Sequence, residues 1–270
     1  MTTITFYKLQ ASGNDFILID NRKTKLKAGQ LKKLARKYCQ RKLSIGADGL
    51  LVIESSKKAS FRMRIFNADG SEAEMCGNGA RCTAYWAKSK AKQVKFETQA
   101  GIIEACLKAD RVAIKLSDPK QIKVRIPIVV LGRKIHLNFI NTGVPHVVIF
   151  VSGLDKIDVE KIGRAVRFHK KFQPAGTNVN FVEIINDNFV RVRTYERGVE
   201  AETLACGTGS VAAAILLKFK LKVTSGNHKV RVLTKSQETL SVHFSKIDDK
   251  VRDVWLKGKA DLVCQGSLKF

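Results

Sequence analysis

Leu204-Ala205-Cys206-Gly207-Thr208-Gly209-Ser210 sets a cysteine before Gly-x-Gly, and Val211-Ala212-Ala213-Ala214-Ile215-Leu216-Leu217 follows it. A near copy lies earlier, Glu74-Met75-Cys76-Gly77-Asn78-Gly79-Ala80. The two cysteines, at 76 and 206, stand 130 positions apart. Gly13 and Gly143 repeat that offset, as do Gly46 and Gly176, and Arg64-Ile65-Phe66-Asn67 is echoed at 129 by Arg193-Thr194-Tyr195-Glu196. Landmarks in one order at one offset mark an internal repeat. The period is too long for a solenoid, and each half has the size of an ordinary domain.

The segment after Cys206 is apolar on every side, which predicts a helix buried at the centre of its domain. Ala80, Cys82, Ala84, Trp86 and Ala87 predict its counterpart after Cys76. Phe16-Ile17-Leu18-Ile19 and Leu50-Leu51-Val52-Ile53 have the short apolar form of buried strands. Residues 62–66 and 189–195 alternate like half-buried strands. Leu31, Leu34, Ala35, Tyr38 and Cys39 form a helical stripe, with Val159, Ile162 and Val166 as a weaker counterpart. The fold expected is α/β (α+β): two pseudo-symmetric domains, each a curved mixed β-sheet wrapped around a central helix. Pro119 interrupts the pattern, so the first domain is expected at 1–118 and the second at 119–259. Residues 260–270 are expected to complete the first domain, although the pattern of Ala260 to Cys264 does not by itself decide that return.

With 270 residues and 44% apolar content, the chain suits two real cores. No stretch approaches the roughly 18 apolar residues of a membrane span. The start, Met1 to Lys8, lacks the pattern of a signal peptide, so a cytoplasmic protein without membrane partners is expected. Cys39, Cys76, Cys82, Cys106, Cys206 and Cys264 are scattered and form no Cys-x-x-Cys pair, which argues against a disulfide framework and against zinc. No metal site is expected. The formal charge of +25 is spread over Lys32-Lys33, Arg36-Lys37, Arg41-Lys42, Lys57-Lys58 and the stretches 88–95, 115–125 and 218–222. It is not interleaved with aromatics as in a strand-stacking platform, which argues against nucleic-acid binding.

A cysteine at a helix start gains from the helix dipole and from unpaired backbone N–H groups, both of which favour the thiolate. The glycines beside it let a ligand approach the backbone, and the same N–H groups suit a carboxylate. Two such starts facing one carboxylate would set a thiol on each face of its α-carbon. One would remove the proton and the other would deliver one. The chemistry expected is two-base epimerisation or racemisation of a small molecule, with no pyridoxal phosphate or other cofactor required. A lone copy of the motif would be weak; the duplicated copy is specific. The other four cysteines are expected to be small core hydrophobes.

At these residues the chain resembles the diaminopimelate epimerase family. The resemblance covers nearly the whole length. It includes Gly13-Asn14-Asp15-Phe16, residues 66–71, Cys76-Gly77-Asn78-Gly79-Ala80-Arg81-Cys82, Pro145-His146, Tyr195-Glu196-Arg197-Gly198 and residues 202–209. It implies conversion of LL-2,6-diaminopimelate to the meso form, for lysine and cell-wall precursor synthesis, usually by a homodimer. It implies that Cys76 and Cys206 are the acid/base pair, with Cys206 the acceptor in the L-to-meso direction. Gly77, Asn78, Gly207 and Thr208 would then offer backbone donors to the reacting carboxylate. Asn14, Asn67, Asn178, Glu196 and Arg197 would surround the substrate, Arg197 forking onto the distal carboxylate and Glu196 accepting an ammonium. His146 and Glu196 are supporting candidates for orienting or polarising the thiols. Asp15 and Asp69 are expected to form turns, and Glu72, Glu74 and Glu202 to stabilise loops and helix approaches. Two departures remove side-chain contacts that some members have: Val144 stands where they carry Asn, and Gly49 where they carry Gln.

The rival readings are another cofactor-independent racemase, such as one acting on proline, and a basic binding protein on the same fold. A hydrolase built on Cys206 and His146 is weaker, because it leaves Cys76 unexplained.

Overall fold

In a computed structural model, residues 3–87 and 93–269 are described; the basic residues Lys88, Lys90 and Lys92 lie outside them. The chain divides into two compact units, Met1–Ile114 with Gly258–Phe270, and Lys115–Lys257. The first boundary thus falls a few residues before Pro119. Each unit is an α+β body with one mixed sheet and few helices.

The first unit carries β1 (Thr3–Ala11), β2 (Asn14–Asp20), α1 (Asn21–Thr24), α2 (Ala28–Tyr38), β3 (Gly49–Glu54), β4 (Arg62–Asn67), β5 (Glu72–Ala73), α3 (Gly77–Trp86), β6 (Gln93–Thr98), β7 (Gly101–Lys108) and β8 (Arg111–Lys115). The second carries β9 (Lys120–Val130), β10 (Arg133–Asn141), β11 (Pro145–Phe150), α4 (Val159–Arg167), β12 (Asn178–Asn186), β13 (Phe189–Glu196), β14 (Ala201–Thr203), α5 (Gly207–Lys220), β15 (Ser225–Leu233), β16 (Thr239–Ile247) and most of β17 (Lys250–Lys259). The last strand, β18 (Asp261–Lys269), pairs antiparallel with β1 and so belongs to the first unit.

The repeat is a repeat of topology. β1 and β2 pair antiparallel, β2 and β3 parallel, and β3 and β4 antiparallel. β10 to β13 follow the same sequence of pairings. β18 flanks β1 as β9 flanks β10. A tight turn joins β1 to β2: Ser12 and Gly13 both have positive φ, 57° and 82°, while Ala11 faces Asn14. That is the backbone a two-residue hairpin demands.

Each unit buries two faces of its sheet. In the first, Leu31, Leu34 and Ala35 of α2 pack on Ile17, Ile19, Leu50 and Val52. By alternation Phe16, Leu18 and Leu51 point to the opposite face, where α3 lies. Burial on both faces explains why these strands have continuous apolar runs. In the second, Val159 and Val166 of α4 pack on Val147, Ile149, Val179, Phe181 and Tyr195. Gly163 makes this approach possible, since a Cβ there would sit 2.5 Å from Tyr195 Cβ.

Helix α5 takes the other face and touches β10, β11, β12, β13, β15 and β16. Gly207, Gly209 and every residue from Ser210 to Lys218 are buried. Val211, Ile215, Leu216 and Leu217 each contribute roughly 1.5–3 kcal/mol by leaving water. The one charge on this stretch, Lys218, donates to the Asp187 carbonyl at 2.7 Å and to Asn188 Oδ1 at 2.8 Å. Among the described residues no helix is long and apolar enough to cross a membrane.

Candidate active site

Strand parity builds the half-site of the second unit. Val147, Val179, Phe181 and Tyr195 face α4. Their sequence neighbours His146, Asn178, Asn180, Thr194 and Glu196 therefore face α5, near its first turn. His146 pairs with Asn178 across the parallel strands, and Asn180 pairs with Thr194.

Cys206 is the N-cap of α5, with extended backbone (φ −113°, ψ 114°), and is buried. Its side chain does not cap the helix. Its sulfur lies 3.5 Å from the Thr208 hydroxyl. Thr208 Oγ1 lies 2.9 Å from His146 Nε2. His146 is fully buried, and its other ring nitrogen receives Asn180 Nδ2 at 3.1 Å. Burial, and then the nearby Arg197 charge, push the His146 imidazole down to about 3, so it is neutral at physiological pH.

Asn178 is buried and holds the loop after β13. Its Nδ2 donates to the Pro145 carbonyl at 3.1 Å and its Oδ1 accepts from the Arg197 backbone at 2.8 Å. Arg197 donates through one Nη to the Ala175 carbonyl at 2.9 Å. Its remaining guanidinium N–H groups have no partner among the described residues, which leaves a fork able to take a carboxylate. Glu196 accepts from the Thr203 hydroxyl at 2.9 Å. Burial pushes its carboxyl up, partly offset by that hydrogen bond. Gly207 and Thr208 begin α5, where the first N–H groups lack intrahelical acceptors.

The half-site of the first unit has the same frame and different polar parts. Cys76 caps α3 with extended backbone (φ −138°, ψ 124°), and its sulfur accepts from the Gly79 N–H at 3.5 Å. Gly77 and Asn78 begin the helix. Asn78 is buried, and its Oδ1 accepts from Arg81 at 2.6 Å. Arg81, also fully buried, donates to Ser12 Oγ at 2.7 Å and to the Lys259 carbonyl at 2.9 Å. These bonds clamp the β1–β2 turn and the end of β17 onto the start of α3. Asn14, just past that turn, buries an Oδ1 with no partner among the described residues. Asn67 is exposed at the end of β4 and donates to Ser71 Oγ at 2.9 Å, with its backbone in the same turn. Among the described residues no hydrogen bond ties it to α3.

The family model described as diaminopimelate epimerase matches residues 6–122 and 138–263. The chain is 44% identical over 276 residues to the diaminopimelate epimerase of Aquifex aeolicus, covering 97% of each. It is 46% identical over 277 residues to that of a Hydrogenobaculum species, covering 97% of this chain and 98% of the relative. The chain belongs to the diaminopimelate epimerase family. A phenazine biosynthesis protein of the PhzF family from Bacillus anthracis shares the fold, with a TM-score of 0.78, 18% identity and full coverage of both chains.

As a member of this family of isomerases, the chain shows how its two departures are accommodated. A Cβ at Gly49 would meet the Phe66 carbonyl at 2.7 Å, so this backbone leaves no room for a side chain there. Val144 supplies its carbonyl to the Thr142 N–H at 3.2 Å. Asp69 forms a turn with Ser71, as expected. Asp15 does not: it lies in β2 and pairs with Lys8 and Arg41, because the two cations reach it across the β1–β2 hairpin and from the loop after α2. Glu72 and Glu202 are held by Arg64 and Arg193.

Sequence reasoning missed Asn180, Arg81, Ser12 and the hydroxyl of Thr208. The available signal was Asn180 itself, a polar residue two positions after Asn178 and so on the same strand face. Cys39, Cys106 and Cys264 are free thiols. Among the described residues no group of three or more His, Cys, Asp or Glu side chains is placed to hold a metal ion.

Proposed function

We propose that the protein epimerises LL-2,6-diaminopimelate to meso-diaminopimelate by a two-base mechanism without a cofactor, serving lysine and peptidoglycan precursor synthesis. The observation that carries this reading is the duplicated half-site: in two units of one topology, a cysteine stands at the N-cap position of the buried helix just before Gly-x-Gly. A racemising enzyme needs an acceptor on one face of the α-carbon and a donor on the other, and two matched thiols meet that need. Cys206 takes the α-proton as thiolate and Cys76 returns one as thiol. The N–H groups of Gly77, Asn78, Gly207 and Thr208 hold the reacting carboxylate and stabilise the charge that spreads onto it.

The remaining polar groups suit a substrate with a second amino-acid head. The Arg197 fork is available for a distal carboxylate. Asn14 Oδ1, buried and unpartnered among the described residues, is an acceptor suited to an ammonium. A proline-like substrate would leave both idle. The protein is expected to act as a homodimer, to be checked by analytical ultracentrifugation.

The decisive experiment is proton NMR of the reduced protein with LL-diaminopimelate in D₂O, without added cofactor. Meso product carrying deuterium at one α-carbon is expected. A folded, reduced protein that neither exchanges the α-proton nor makes product would overturn the reading.

A further inference from the structure

The polar groups around Cys206 have a direction, and it can be read atom by atom. Asn180 Nδ2 lies 2.8 Å from the Val147 carbonyl, which can only accept, so the orientation of the amide is set. Its Oδ1 accepts from the Thr194 hydroxyl at 3.0 Å. The same NH₂ group therefore donates to His146 Nδ1, at 3.1 Å. A neutral imidazole that accepts at Nδ1 carries its proton at Nε2. Nε2–H then donates to Thr208 Oγ1, at 2.9 Å. The single Thr208 hydroxyl proton is thereby turned away from the ring, and the Cys206 sulfur lies 3.5 Å from that oxygen.

We infer that Asn180, His146 and Thr208 form a one-way hydrogen-bond relay that aims the Thr208 hydroxyl proton at Cys206 Sγ and so favours its thiolate. This rests on the two-base reading and adds to it the residues that tune this thiol. A hydroxyl donating to sulfur favours the thiolate over the thiol. No bond is made or broken in the relay; it only orients protons. Asn180 and Thr208 are thus positioning residues.

The first unit lacks the relay. The positions 130 earlier hold Phe16 in place of His146, Leu50 in place of Asn180 and Asn78 in place of Thr208. Cys76 Sγ instead takes a backbone N–H from Gly79. Sequence symmetry between the two motifs therefore hides a chemical asymmetry. Of the charged and titratable groups around the relay, Arg197 acts on His146 through its charge, and Glu196 bonds Thr203, three residues before Cys206.

Two NMR measurements on the full-length protein test this. In ¹⁵N-histidine-labelled protein, His146 should be pyrrole-like at Nε2 and pyridine-like at Nδ1, and should remain neutral at pH 6. In ¹³Cβ-cysteine-labelled protein, Thr208→Val should raise the apparent pKa of Cys206 by about one unit, the size expected for losing a hydrogen bond to a charged group. Cys76 should not move, and Thr208→Ser should restore the original titration. The opposite His146 tautomer, a charged His146 at pH 6, or an unchanged Cys206 titration in folded Thr208→Val would each overturn the relay. The tautomer measurement uses the unmodified protein, so it stands even if the valine variant misfolds. None of these readouts requires turnover, so failure of the relay and failure of the two-base reading are separable.

Discussion

Cys76 and Cys206 occupy equivalent helix starts but meet different neighbours. Cys76 spends its sulfur on the Gly79 N–H, whereas Cys206 leaves its helix uncapped and turns to Thr208. Under the two-base reading neither can stand in for the other. Cys76→Ala and Cys206→Ala are each expected to lower epimerisation at least about a thousandfold, the scale of a lost general acid or base. Circular dichroism should show the fold intact. Near-normal turnover of either variant in a coupled assay would refute the shared mechanism. Arg197→Lys keeps the charge but loses the planar fork, so KM for diaminopimelate should rise more than tenfold, with a smaller change in kcat. An unaltered KM would remove Arg197 from the distal carboxylate.

At the scale of the helix start, the second glycine of each motif is not equally replaceable. A Cβ at Gly209 would lie 2.3 Å from Asn180 Oδ1 and 3.3 Å from Cys206 Cβ. A Cβ at Gly79 would meet the end of the Leu51 side chain at 3.0 Å, with Ile65 and Cys76 no closer than 3.5 Å. Gly209→Ala should therefore destabilise the protein by about 1–3 kcal/mol, as overpacking does, and displace the His146 contact as well. Gly79→Ala should be milder. Urea unfolding of the two variants checks the order, and equal midpoints would show that Asn180 yields without penalty. The parity of β11 and β12 explains why this clash exists. One face of each strand feeds the α4 core, and the other presents His146 and Asn180 to the first turn of α5.

Over the whole molecule, pH acts through groups whose ionisation differs between folded and unfolded chains. Burial, then Arg197, lowers the folded His146 from its ordinary 6.5 to about 3. A folded value below the unfolded one means the unfolded chain binds the proton first. Stability is therefore full above pH 6.5 and falls as pH drops toward about 3. His228 and His243 are shifted the same way, by burial first and then by nearby lysines. Glu72 is held below its ordinary 4.5 by the hydrogen bond from Arg64, so its contribution is lost as pH falls through that lowered folded value. Tm should decline steadily from pH 6.5 downward. His146→Gln should flatten the upper part of that slope by up to about 1.4 kcal/mol per pH unit, one proton's worth. An equal slope in both proteins would show that His146 protonates in the folded state. The charge of +25 acts on the same scale: added salt should raise Tm by screening self-repulsion, and a Tm independent of salt would refute that.

By itself the sequence determined the repeat, the paired Cys-Gly-x-Gly helix starts, the buried helix after Cys206 and the family. These are local patterns, and apolar periodicity and glycine placement express them wherever they occur. Only the tertiary structure decided that β18 pairs with β1, since strand pairing depends on which edge a distant segment reaches. Only it showed that Asn67 closes a turn with Ser71, and that Asp15 joins Lys8 and Arg41. Only it showed that Asn180, His146 and Thr208 line up on Cys206. Those four residues come from β11, β12 and the start of α5, and their hydrogen bonds follow from which strand face each side chain takes. The two near-identical motifs encode the symmetry of the backbone, and the strands packed against them break it.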